Sequence, residues 1–123
     1  MQEITKAQEE VLQALWNIDK GAVSDVLNEL EEPKPAYNTV ATVIKVLEAK
    51  GYVQHVTYGK THVFSPKVSK NEYAQHRLKQ TFRELFNGSS KQLFSCFLKN
   101  EDVSLRELDE LKQLIENKIE KSK

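Results

Sequence analysis

The chain of 123 residues holds one cysteine, one methionine, one tryptophan, four glycines and three prolines. One cysteine cannot form a disulfide within the chain, and it excludes a cysteine-rich zinc site. Glycine and proline are too scarce, and the hydrophobic fraction of 39% too high, for a disordered chain. No apolar run approaches the roughly 20 residues that a membrane span requires. The opening stretch MQEITKAQEE lacks the apolar segment of a secretory signal. An excess of charge is missing too, since 18 Lys and Arg balance 18 Asp and Glu. These absences predict a soluble protein of a reducing compartment, the cytoplasm, with no membrane insertion. The length allows one domain or two very small ones. Two halves of about 60 residues would each be marginal alone, which ties domain count to oligomerisation.

The balance of charge conceals an uneven distribution. Residues 1–32 carry two lysines against eight acids, a net of −6. Residues 33–67 carry Lys34, Lys45, Lys50, Lys60 and Lys67 against Glu48 alone, a net of +4. Residues 68–123 carry eleven basic groups against nine acids, a net of +2. A positive block inside a neutral chain suits a surface that meets a polyanion, although solvated lysines give the same count.

Helical signals come first. Thr5 with Gln8 has capping-box spacing, and Val11, Leu12, Leu15 and Trp16 recur at helical intervals before Gly21, a candidate stop. A short second helix carries Val23, Val26, Leu27 and Leu30, and Pro33 and Pro35 break it. A third runs from about Tyr37 to Lys50 and ends at Gly51. The period then changes. VQHVTYGKTHVFS, residues 53–65, is rich in β-branched and aromatic residues around Tyr58-Gly59 and predicts a hairpin, with register left open. Three further helices follow behind Ser69 with Glu72, Ser89 with Gln92, and Ser104 with Glu107, all at capping-box spacing. Asn87-Gly88 and residues 99–102 separate them.

Three helices followed by a hairpin is the order of a winged helix. The third helix places Val40, Val43, Ile44 and Leu47 on one face and Asn38, Ala41, Thr42 and Lys45 opposite, with Thr39 at the edge. Small polar groups and one lysine suit a helix that enters a major groove about 12 Å wide and reaches base edges. The hairpin tip offers Tyr58, Gly59, Lys60 and Thr61, in which Lys60 can pair with phosphate and Thr61 donate to it. An ordinary amphipathic helix and a plain surface turn remain the alternatives.

Further along, these features bring a family into view. The chain resembles the penicillinase and methicillin-resistance repressors of the BlaI/MecI type through TKAQEEVLQALW, NTVATVIKVLEAKG and GKTHVFSP, and then through SKNEYAQ and the FNGS turn. The resemblance implies a winged-helix repressor that binds a palindromic, inverted-repeat operator in double-stranded DNA. It also implies a homodimer joined through C-terminal helices, and inactivation when a signalled protease cuts that arm. A membrane metalloprotease is then the implied regulatory partner. Two positions depart from the family pattern. The reading helix often opens with Ser-Pro, where this chain has Ala36-Tyr37; capping chemistry favours Asn38 as N-cap, whereas the alignment sets Asn38 in the first turn. The bond matching the scissile Asn-Phe of the best-known members is Cys96-Phe97.

The C-terminal half carries apolar stripes. Leu78, Phe82, Leu85 and Phe86 form one, Leu93, Phe94, Phe97 and Leu98 a second, and Leu105, Leu108, Leu111, Ile115 and Ile119 a third. Three short helices offer little core of their own, and two-fold dimers are the commonest way to cover such faces. His55, His62, His76 and Cys96 lack metal-binding spacing, no Gly-x-Ser-x-Gly elbow occurs, and no glycine-rich phosphate loop is present. No metal, cofactor or enzymatic activity is expected. The expected architecture is mainly α with a small β-hairpin: a winged helix-turn-helix DNA-binding domain over residues 1–68, then a helical dimerisation arm over 69–123. A winged helix whose third helix contacts a partner protein instead of DNA is the competing reading.

Overall fold

The first helix starts where its capping chemistry dictates. In the computed structural model, which describes residues Met1–Lys123, the Gln8 amide donates to Thr5 Oγ1 at 3.2 Å and the Thr5 amide to Gln8 Oε1 at 3.0 Å. These bonds satisfy free amides of the first turn of α1 (Lys6–Ile18). The order continues with α2 (Val23–Glu29), α3 (Tyr37–Ala49), β1 (Val53–Tyr58), β2 (Thr61–Pro66), α4 (Lys70–Phe86), α5 (Ser90–Leu98) and α6 (Leu105–Lys121). The mainly α fold class with one hairpin is therefore the observed one. Ser69 and Glu72 form the reciprocal box. Ser89 and Ser104 make only the forward half, accepting from the Gln92 and Glu107 amides at 3.1 Å each. Asp25 supplies a bond that the sequence did not announce, accepting from the Ala22 amide at 2.9 Å ahead of α2.

Gly21 plays a different part from the expected helix stop. α1 ends at Ile18, and Asp19 turns the chain with φ of 75°. Gly21 instead pairs with β2, donating to Phe64 O at 2.9 Å and accepting from the Phe64 amide at 2.8 Å. Its φ is not positive. What glycine provides here is room, since a Cβ would come within 2.8 Å of Asp25 Cβ and 3.0 Å of Ile18 Cδ1. Helical periodicity located the right segment, and a sheet contact claimed the glycine.

Two compact units emerge, Met1–Leu78 and Lys79–Lys123. In the first, Val11, Leu12, Ala14 and Leu15 of α1, Val26 of α2, and Val40, Ile44 and Leu47 of α3 are buried together, as 3.6-residue spacing requires. Tyr52, Val53, Phe64 and Tyr73 complete the cluster. Burying each large aliphatic side chain contributes about 1.5–3 kcal/mol relative to exposure. The hairpin is antiparallel with Val53 opposite Pro66 and Tyr58 opposite Thr61. Its two-residue turn begins with Gly59 at φ of 62°, the pattern of a type II′ turn. A lone hairpin is marginal in water. This one is held at its base by the Gly21 bridge and by Tyr52, whose carbonyl accepts from the Lys67 amide at 2.8 Å.

The first unit extends to Leu78, past the division expected after residue 68, because the start of α4 is bonded to α1. Trp16 Nε1 donates to Val68 O at 2.9 Å, and the Trp16 and Tyr73 rings lie 5.6 Å apart. The Tyr73 hydroxyl donates to Glu9 Oε2 at 2.7 Å, and Arg77 Nη1 reaches the same oxygen at 2.5 Å. Burial first, and the Glu9 carboxylate second, push the Tyr73 phenol above its ordinary pKa, which keeps it a donor.

The second unit holds the end of α4 with α5 and α6. α4 terminates at Asn87 and Gly88, both left-handed, with the Gly88 amide donating to Phe82 O at 2.9 Å. An Asx turn in which the Asp102 amide donates to Asn100 Oδ1 at 3.0 Å precedes α6. No residue of α5 or α6 is buried. No helix of the chain is long and apolar enough to cross a membrane.

Candidate nucleic-acid interface

The DNA-reading candidate, α3, is seated by Val40, Ile44 and Leu47, all fully buried. That packing fixes which face looks outward. Asn38, Thr42 and Lys45 are exposed and Ala41 is half-buried, so the small polar face lies opposite the core. The helix begins at Tyr37, with Ala36 as N-cap and no side-chain cap bond. Asn38 therefore stands inside the first turn, which resolves the two readings left open by capping chemistry and alignment. An uncapped N-terminus leaves the first amides of α3 without a side-chain partner and the positive end of the helix dipole open.

Thr42 Oγ1 donates to Asn38 O at 2.9 Å. Using the proton within the helix leaves the Thr42 oxygen as an acceptor and its methyl as an apolar contact. Thr39, although exposed, lines a depression shared with α1, away from the centre of the polar face. Lys45 makes no ion pair. Glu48, the single acid of α3, is bonded to His55 Nδ1 of β1 at 2.5 Å. That contact draws the carboxylate toward the wing base.

The wing tip exposes all three residues expected there. Tyr58 is 64% exposed, and Lys60, in the turn that Gly59 begins, and Thr61 after it are exposed as well. On the inner face of the hairpin, His55 and His62 stack edge-on at 4.7 Å, and Thr57 Oγ1 lies 2.9 Å from His62 Nδ1.

The positive block presents fewer free cations than its formula. Lys34 Nζ is bonded to the carbonyls of Leu27 at 3.3 Å, Asn28 at 3.0 Å and Leu30, which close the C-terminal end of α2. Lys50 Nζ is bonded to Glu3 O at 2.8 Å and Gln8 Oε1 at 3.1 Å. Lys45, Lys60 and Lys67 remain exposed and without such bonds. Sequence reasoning passed over Tyr37, which is 52% exposed at the first position of α3. An aromatic residue just after Pro35, on the helix that carries the polar face, was the available signal.

Among the candidate association residues, Leu85, Phe94, Phe97, Leu98, Leu105 and Ile115 are exposed. Phe86, Leu93, Leu108 and Leu111 are half-buried. Leu114 and Ile119 add exposed apolar area on α6, which is otherwise dressed with the i,i+4 pairs Arg106–Glu110 and Lys112–Glu116. Cys96 is exposed, in the last turns of α5 beside Phe97.

A family model described as penicillinase repressor matches residues 4–117. The chain belongs to the penicillinase repressor family. Within the family, the penicillinase repressor of Bacillus licheniformis is 25% identical over 115 residues, covering 93% of this chain and 90% of that protein. The methicillin resistance regulatory protein MecI of Staphylococcus aureus strain N315 is 23% identical over 117 residues, covering 94% and 95%. Solved structures agree in fold. A chain of Bordetella bronchiseptica BpsR, whose DNA binding is regulated by 6-hydroxynicotinic acid, superposes with a TM-score of 0.50 at 19% identity over 96% of this chain and 76% of that one. A transcriptional regulator of Thermotoga maritima gives 0.50 at 23% identity over 98% and 79%. Penicillinase repressor family members are DNA-binding transcriptional repressors of winged-helix type, and this chain is a regulator of that class, not an enzyme.

Proposed function

We propose that the chain represses transcription by binding a palindromic operator as a homodimer, each protomer setting α3 into a major groove and its wing along the backbone. The observation that carries this reading is the outward face of α3: small polar side chains and Lys45, with the one acid of the helix bonded to His55. Asn38 and Thr42, with Ala41 between them, are assigned to bases or adjacent phosphates. Lys45, Tyr58, Lys60 and Thr61 are assigned to the backbone, and Thr39 to the edge of that footprint. The apolar residues left exposed on α5 and α6 support an arm through which two copies associate. Separation of the arms, including by a membrane metalloprotease cutting near Cys96-Phe97 in the cytoplasm, would release the operator.

The wing provides the test. Replacing Lys60 with alanine removes one phosphate pairing per protomer, so affinity for specific and non-specific duplex should fall together. The slope of log K against log salt should become shallower by roughly one unit for each phosphate no longer neutralised. Fluorescence anisotropy titrations at several salt concentrations measure both. An unchanged slope would put Lys60 away from DNA. A parent protein with almost no salt dependence would favour the competing reading, in which α3 meets a partner protein.

A further inference from the structure

The depression that Thr39 lines is a trough of about 590 Å³ between α1, the 30–35 segment and the start of α3. Its floor is apolar: Val11, Ala14 and Val40 are buried there, and Leu30 and Val43 half-buried. Its rim is acidic, with Glu9, Glu10, Glu29 and Glu31 against a single cation, Lys6. Those carboxylates are not equally available. Glu9 is engaged by Tyr73 and Arg77. Glu29 accepts one long bond, from Asn17 Nδ2 at 3.4 Å, and no ion pair reaches Glu10, Glu29 or Glu31. The outer wall is preformed, since Pro33 and Pro35 fix their φ angles in the segment that closes it.

A volume within about 300–1,000 Å³, an apolar floor and a few polar groups at the edge are the properties of a small-molecule site. The charge selects the ligand. Three carboxylates without cationic partners repel an anion and attract a cation, while the floor rewards an apolar body of one ring or a short alkyl chain. We propose that this trough binds a small organic cation, its apolar part on Leu30, Pro35 and Val43 and its ammonium or amidinium head among Glu10, Glu29 and Glu31. Of the lining residues only Thr39 is also assigned to the operator footprint, and none of the contacts proposed here involves it, so the proposal stands or falls apart from the DNA-binding reading.

Two probes with the same phenylethyl body and opposite charge, 2-phenylethylammonium and 3-phenylpropionate, test it on the full chain by amide NMR titration. The cation should give saturable shifts centred on α1 and the first turns of α3, and the anion at least tenfold weaker binding. Glu10→Gln, Glu29→Gln and Glu31→Gln together should weaken the cation about tenfold, each exposed pairing supplying a factor of about two. Ala7 lines the trough and is exposed, so Ala7→Phe should occlude the site with the melting temperature kept. Equal affinity for both probes, an unchanged affinity in either variant, or no saturable shift at the highest soluble concentration would overturn the proposal.

Discussion

Changing Leu108 and Leu111 together to aspartate is expected to give a monomer that keeps its N-terminal fold and loses its operator. Both residues sit half-buried on α6 within an apolar stretch that includes exposed Leu105, Leu114 and Ile115. Two carboxylates there would meet an apolar partner, and an unpaired charge is not tolerated in such a contact. Neither residue belongs to the buried cluster of the first unit, so Trp16 and the winged helix should be unaffected. A single winged helix neutralises few phosphates. Linking two copies makes binding at the second half-site intramolecular and raises apparent affinity by about 10²–10⁴. The variant should lose that factor. Sedimentation and operator titration on the same preparation read both quantities, and a variant that stays dimeric and binds as the parent does would remove the arm from the mechanism. Severing the chain near Cys96-Phe97 should reproduce the loss, because it detaches α6 from the covalent unit.

The second large effect is expected from Thr42→Glu. Thr42 is exposed in the middle of the polar face of α3, with its hydroxyl turned onto Asn38 O. Glutamate at that position would hold a carboxylate between two phosphate backbones, and like-charge juxtaposition costs several kcal/mol. Operator affinity should fall by roughly 10²–10³-fold, since each 1.4 kcal/mol is about a factor of ten. Thr42→Ser keeps the bond to Asn38 and loses only the methyl, so it should cost far less. The dimer should persist in both variants. Operator titration at fixed salt decides the matter: a Glu variant that binds as tightly as the parent would turn α3 away from DNA.

How much of this was legible in the sequence depended on whether local chemistry decided the outcome. Thr5 with Gln8 and Ser69 with Glu72 form boxes as their spacing required, and Gly51, at φ of 86°, ends α3 where a left-handed cap was expected. The polar and buried faces of α3 separate as periodicity indicates, because both follow from one helical repeat. Long-range pairings were not legible. Gly21 carries no mark of its bridge to Phe64, a residue far away in sequence. Lys34 and Lys50 look the same in composition as Lys45 and Lys60. Only the fold bends the first two onto backbone carbonyls. Within the candidate interface, the outward residues of α3 were readable from pattern. The exposure of the Tyr37 ring was not readable, because a single aromatic residue at a helix start has no period.

The bridge between Gly21 and Phe64 bears on how the wing moves. Both bonds of that bridge sit at the buried base of the hairpin, where Phe64 is 5% exposed, while the residues of the tip around Gly59 and Lys60 are exposed. Opening the base requires disrupting the core, whereas fraying the tip does not. Amide hydrogen exchange at Phe64 should therefore be as slow as in the α1 core, and residues 58–61 should exchange through local opening at far lower free energy. The wing thus combines an anchored root with a compliant end. In the operator complex proposed above, that end would follow the local path of the phosphate backbone while the base stays anchored to the core.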